Sequence, residues 1–205
     1  LAPFLWHGML LGDALVPMRA LAGAAAGLAM LSTALAFVIA LGADDKVRAL
    51  AEAEGRTLEY GIRFHTIARD RSEDAWAQTE RILESLTPET IAESQQVIAV
   101  QSASVGQARM NALHGGSIDK LVVAPNLWAG FGLVRGGAGT ALVGSHDEVA
   151  ERIREYHEVG FTHFILSGQP HLEEAYWFGE GVTPLLRRDG LLAELPMPTA
   201  TTARG

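Results

Sequence analysis

From Thr57 to Ala68, TLEYGIRFHTIA, apolar and polar positions alternate along the chain. Leu58, Tyr60, Ile62 and Phe64 fall on one side, and Gly61, Arg63, His65 and Ile67 on the other. That period predicts a strand with two unlike faces. Before it, KVRALAEAEG reads as a short amphipathic helix that stops at Gly55. After it, EDAWAQTERILESL places Trp76, Leu83 and Leu86 on one helical stripe. TPET restarts a helix, with Thr87 as its N-cap and Pro88 in its first turn. Gln101 to Leu121 carries neither period and reads as polar and irregular.

The second half of the chain has sharper punctuation. Ser145 and Glu148 form the capping-box pattern SHDE, followed by Val149, Ile153 and Tyr156 on one face. Gly160 ends that helix, and FTHFILSG is a continuous apolar run of the kind expected of a buried parallel strand. QPHLEEAYWFGEGVTPLL reads as a final helix. Strands alternating with helices predict an α/β fold with a parallel sheet. Between the halves lies NLWAGFGLVRGGAGTALVG, with six glycines and a single charge, Arg135. Such a segment is either a plain surface loop or a backbone that must turn sharply or close over something.

Composition narrows the partners. In 205 residues, 16 basic against 24 acidic side chains give a formal charge of −8. This argues against nucleic acid, which needs a basic patch. The absence of cysteine excludes disulfides, thiolate metal sites and cysteine nucleophiles. The histidines at 146, 157, 163 and 171 lack a metal-ligand spacing. Asp44–Asp45 and Glu173–Glu174 read as solvated acids, and Trp76 and Trp128 as packing residues. Residues 1–43 form an Ala/Gly-rich apolar segment unlike the rest. Within it, 21–41 carries no charge and is long enough to span a bilayer or serve in export. A shifted reading frame or a buried helix explains the same composition.

Three places along the chain suggest chemistry. Arg63 and His65 share a strand face at a separation of roughly 7 Å. If the strand belongs to a parallel barrel, that face is the lumen, where active sites open at strand ends. The plain alternative is a salt bridge to an acid on a neighbouring strand. Arg135, alone in a glycine-rich segment, suits a lid that closes on an anion. Gln169 and His171 follow the last strand, where parallel sheets present ligand-binding groups, although His171 equally suits a solvated helix start.

The segments YGIRFHTIARD, DAWAQTERIL, SVGQARMNALHGG, PNLWAGFGLVRGGAGTALVG and LSGQPHLEEAYWFGE resemble the C-terminal half of the flavin-dependent alkanesulfonate monooxygenases, of the bacterial-luciferase-like family. The resemblance runs from about Lys46 to Arg188. It implies an α/β fold that is the C-terminal part of a (β/α)8 TIM barrel, over residues 44–190, followed by a flexible tail at 191–205. It implies reduced FMN (FMNH2) supplied by an NAD(P)H-dependent FMN reductase, with O2 and an alkanesulfonate yielding an aldehyde and sulfite. It further implies a cytoplasmic protein that is homo-oligomeric when complete, with no metal and no nucleic-acid partner. Carried over to this chain, Arg63, His65 and Arg135 become the catalytic residues. Gln169 and His171 become substrate-binding residues, and Gly136 and Gly137 contact the cofactor. Gln169 stands where the family has tyrosine, so no phenolic proton is available there. The N-terminal half of the barrel has no counterpart in residues 1–43. The isolated chain is therefore expected to be inactive, with catalysis carried by a complete barrel. Two other readings remain: a luciferase-like flavin or F420 (deazaflavin) oxidoreductase with a different substrate, and a non-catalytic remnant.

Overall fold

The computed structural model describes residues 44–101 and 104–192. The segment 1–43 and most of the tail from 191 onward therefore lie outside the described residues. Helix α1 (Asp44–Ala53) ends at Gly55, whose φ of +66° is a conformation that favours glycine. The alternating segment forms strand β1 (Tyr60–Arg69). Helices α2 (Ser72–Glu84) and α3 (Pro88–Gln101) follow, and the Thr87 hydroxyl accepts the Thr90 amide at 3.2 Å as the N-cap pattern predicts. Strands β2 (Val122–Ala124), β3 (Leu127–Trp128) and β4 (Ala141–Ser145) come next. Helix α5 (His146–Glu158) then leads into strand β5 (Phe161–Ser167). The chain closes with α6 (His171–Trp177), a π-helical turn and α7 (Thr183–Arg188).

Two elements differ from those the sequence pattern predicts. Residues between 101 and 121 are not all irregular: Val105–His114 forms helix α4, capped by the Ser104 hydroxyl and ended by Gly115 at φ +57°. Its buried positions are Gln107 and His114, so no apolar stripe announces it. FTHFILS is indeed a parallel strand, but it lies at the sheet edge, with Thr162, His163 and Ile165 exposed. An apolar run signals burial on both faces only when the strand is flanked and covered.

The sheet has the order β2-β3-β4-β1-β5. Strand β1 is central and parallel to both β4 and β5, whereas β3 runs antiparallel to β4 and β2 antiparallel to β3. Among the described residues this is a mixed α/β sheet around a parallel centre, which fits a TIM-barrel-like fold. Both faces are covered. Phe64, Ala68 and Leu142 pack on Val149, Ile153 and Tyr156 of α5 and on Leu186 of α7. Ile67, Ala141 and Val143 pack on Ala75 of α2, Ile91 of α3, and Trp128 and Phe131. The face bearing His65 is thus packed around Ile67, while Arg63 on the same face is exposed.

The capping box forms as predicted: Glu148 donates its amide to the Ser145 hydroxyl and accepts the Ser145 amide. Glu174, in contrast, is not solvated. It is 2% exposed and forks onto Arg69 at 2.6 and 3.0 Å, while Trp177 stacks 5.0 Å from the same guanidinium. This pair ties the end of β1 to α6. Removing one partner of a buried pair strands the other charge. Glu174→Ala is expected to lower unfolding stability by roughly 3 kcal/mol in urea titration. A loss below about 1 kcal/mol would mean that the pair does not hold α6 in place.

Candidate active site

The centre of the site is built by register. On β1, His65 lies opposite Ala141 of β4 and Ser167 of β5. Its own amide donates to the Thr140 carbonyl at 2.9 Å. The imidazole is 2% exposed and sits with its ring centroid 4.2 Å from that of Phe131. Arg135 Nη1 lies 2.9 Å from His65 Nε2, and Ser167 Oγ lies 3.3 Å from His65 Nδ1. A guanidinium only donates, so Nε2 must be the acceptor and Nδ1 carries the proton toward Ser167. The Ser167 hydroxyl then donates onward to the Phe64 carbonyl at 3.4 Å. Burial first, then the positive charges of Arg135 and Arg63, push the His65 pKa from 6.5 down to about 4. His65 is neutral at pH 7, as the contact with Arg135 requires.

The glycine-rich segment is not a plain surface loop. Gly130 to Leu133 form a buried 3-10 turn, and the Gly132 amide donates to the Gly139 carbonyl at 3.0 Å. At this crossing the two backbones touch: a Cβ on Gly139 would lie 2.6 Å from Gly132 Cα. Only glycine allows that approach. Gly137, at φ +85°, would meet nothing within 4 Å with an added Cβ, so its backbone faces open space.

Gly136 and Gly137 line a cleft of ≈ 620 Å³ together with Arg63, Gln107, Thr140 and the apolar side chains of Ile62, Ile98, Met110, Leu113 and Leu127. No carboxylate is among its lining residues. Neither Arg63 nor Arg135 forms an ion pair among the described residues, so the salt-bridge alternative for Arg63 does not hold there.

The structure therefore brings Arg63, His65, Arg135, Gly136 and Gly137 together. His171, exposed at the start of α6, is near enough for its charge to bear on His65. Gln169 is exposed in the turn after β5, joined to Pro170 by a cis peptide bond. Sequence reasoning missed Ser167, Gln95 and Gln107. Ser167 was legible in principle, as the residue closing the last strand. The two glutamines act on backbone atoms far away in sequence, which leaves no local signal. Among the described residues, no cluster of three histidine or acidic side chains can hold a metal. No helix among them is long and apolar enough to cross a membrane, and the segment 21–41 lies outside them.

The described residues thus form a mixed α/β sheet with helices on both faces, with Arg135 on His65 and Arg63 lining an acid-free cleft. The luciferase-like monooxygenase family model matches residues 12–163, and the chain belongs to that family. The match begins inside the segment that the sequence reading sets apart as unlike the family. Among solved structures, the chain is similar to a riboflavin lyase determined with modified FMN and its substrate riboflavin. The identity is 26% and the TM-score 0.48, over 73% of this chain and 36% of that one. The chain thus spans little more than a third of that protein.

Two outcomes are expected from this geometry. Because the folded pKa of His65 lies below its ordinary value, the unfolded chain binds more protons between about pH 4 and 6.5. Stability should fall as pH drops from 6.5 toward 4, and His65→Gln should flatten that slope. An unchanged slope in urea midpoints would contradict a depressed His65. Gly139→Ala should force the crossing apart and let Arg135 leave His65, raising the His65 pKa in an NMR titration. A pKa that stays near 4 would show that the crossing does not position Arg135.

Proposed function

We propose that this chain carries the anion-binding side of a flavin-dependent monooxygenase that desulfonates alkanesulfonates to an aldehyde and sulfite. The observation that supports it is that Arg63 and Arg135 form no ion pair among the described residues, with Arg135 resting on a neutral His65 and Arg63 lining an acid-free cleft, in a chain of net charge −8. A guanidinium offers a fixed fork of donors that matches the oxygens of a sulfonate. The apolar wall of Ile98, Met110 and Leu113 suits an alkyl chain and keeps water from the head group.

The residues also fit FMN. The open backbone at Gly137, next to Gly136 and the apolar cleft wall, would hold a flat ring. Reduced FMN would supply the electrons that activate oxygen, delivered by an NAD(P)H-dependent FMN reductase. The chain's own groups do the rest. Arg135 and Arg63 bind and orient the anion. His65, by accepting one Arg135 N–H at 2.9 Å, fixes the plane of the guanidinium and leaves its other donors for the ligand. Were His65 charged, three cations would crowd one site; its low pKa avoids this at neutral pH. Sulfite release is assigned to the whole protein, because this chain spans 36% of the flavin-binding structure it matches.

A second reading is a flavin or deazaflavin oxidoreductase acting on another substrate. Gln169, in place of a phenol, favours it.

Calorimetry with 1-octanesulfonate separates the readings. The 205-residue chain should bind it saturably, and Arg135→Ala should weaken binding roughly tenfold, the cost of one charge-assisted contact. The whole protein with reduced FMN and oxygen should then release sulfite. Binding that is indifferent to Arg135→Ala would contradict the assignment, and substrate-independent oxidation of a reduced deazaflavin without sulfite would favour the second reading.

A further inference from the structure

A glycine-rich segment has many backbone conformations to lose, so the place of Arg135 needs an external cause. Two glutamines from two helices supply one. Gln95 of α3 reaches two successive carbonyls, Gly132 O at 2.9 Å and Leu133 O at 2.7 Å, with the same Nε2. Gln107 of α4 accepts the Gly137 amide on Oε1 at 2.7 Å. Gln107 is 7% exposed and is itself held, since its Nε2 donates to Asn111 Oδ1 at 2.7 Å and its own amide caps onto the Ser104 hydroxyl. Between these two anchor points lie only Val134, Arg135 and Gly136.

We propose that Gln95 and Gln107 are positioning residues: a pair of side-chain clamps that hold the glycine-rich turn at both ends, so that the Arg135 guanidinium is held against His65. This rests on the reading of Arg135 as an anion-binding group. The amide is suited to the task. It offers a donor to carbonyls at one end of the turn and an acceptor to an N–H at the other. It also adds no charge to a cleft whose lining is free of carboxylates. A glutamate at 107 would still accept the Gly137 amide, but it would place a negative charge where the ligand's own charge must sit.

The test uses the full chain, with 1-octanesulfonate as the probe and two readouts independent of it: amide exchange across residues 132–139 and the His65 titration by NMR. Gln107→Leu and Gln95→Leu should each speed exchange in that segment roughly tenfold or more, the loss of one buried hydrogen bond. They should also move the His65 pKa upward from about 4 as the Arg135 charge withdraws. Octanesulfonate affinity should fall roughly tenfold, and the effect should vanish when the same changes are made in Arg135→Ala. Gln107→Glu covers the case in which the leucine variants fail to fold. It should keep slow exchange across residues 132–139 while still weakening octanesulfonate.

An equal affinity loss in the Arg135→Ala background overturns the proposal, because the glutamines would then act without Arg135. Unchanged exchange and an unchanged His65 pKa overturn it as well. If the unaltered chain does not bind octanesulfonate, the functional reading fails, and exchange and titration alone decide the clamp.

Discussion

The contact between Arg135 and His65 is the constraint around which the rest of the site is arranged. A positive guanidinium can rest 2.9 Å from an imidazole nitrogen only if that imidazole is uncharged. Burial in the sheet, 2% exposure against Phe131, supplies the largest part of the push that keeps it so, and Arg135 reinforces the state it needs. Ser167 completes the arrangement by taking the proton on Nδ1, which leaves Nε2 free to accept. One tautomer of one histidine therefore links the central strand, the edge strand and the glycine-rich segment.

The glycines make sense in this light. Gly132 and Gly139 let two stretches of backbone cross at a distance that any side chain would forbid, which folds the segment back over the sheet. The freedom they bring would scatter Arg135 if nothing held the turn, and Gln95 and Gln107 grip it on either side. Order is bought with side chains from α3 and α4. The result is a cation held on His65, in a chain whose overall charge is negative.

Much of the fold was legible wherever a local signal names a local structure. The alternation from Thr57 to Ala68 became β1, the Ser145–Glu148 box capped α5, and Gly55 and Gly160 ended their helices with positive φ. Helix α4 was not legible, because its buried residues are a glutamine and a histidine, so its burial leaves no apolar stripe. Strand order was not legible either: periodicity says that β4 and β5 are strands, and only packing says that both pair with β1. Glu174 read as a solvated acid because its partner Arg69 lies far away in sequence. In the site, residue type and strand face sufficed to place Arg63 and His65 on one face, and the lone charge in a glycine-rich segment singled out Arg135. Gln169 drew attention by standing in place of a tyrosine, yet it lies exposed.

The most direct test of this account is the protonation state of His65 itself. The ring nitrogens of the isotope-labelled chain at pH 7 report it by nitrogen chemical shift. The account predicts a neutral ring protonated on Nδ1, with Nε2 unprotonated and coupled to an Arg135 proton. A charged imidazolium, or a ring protonated on Nε2, would mean that Arg135 is not held there, and the site would have to be rebuilt around another partner.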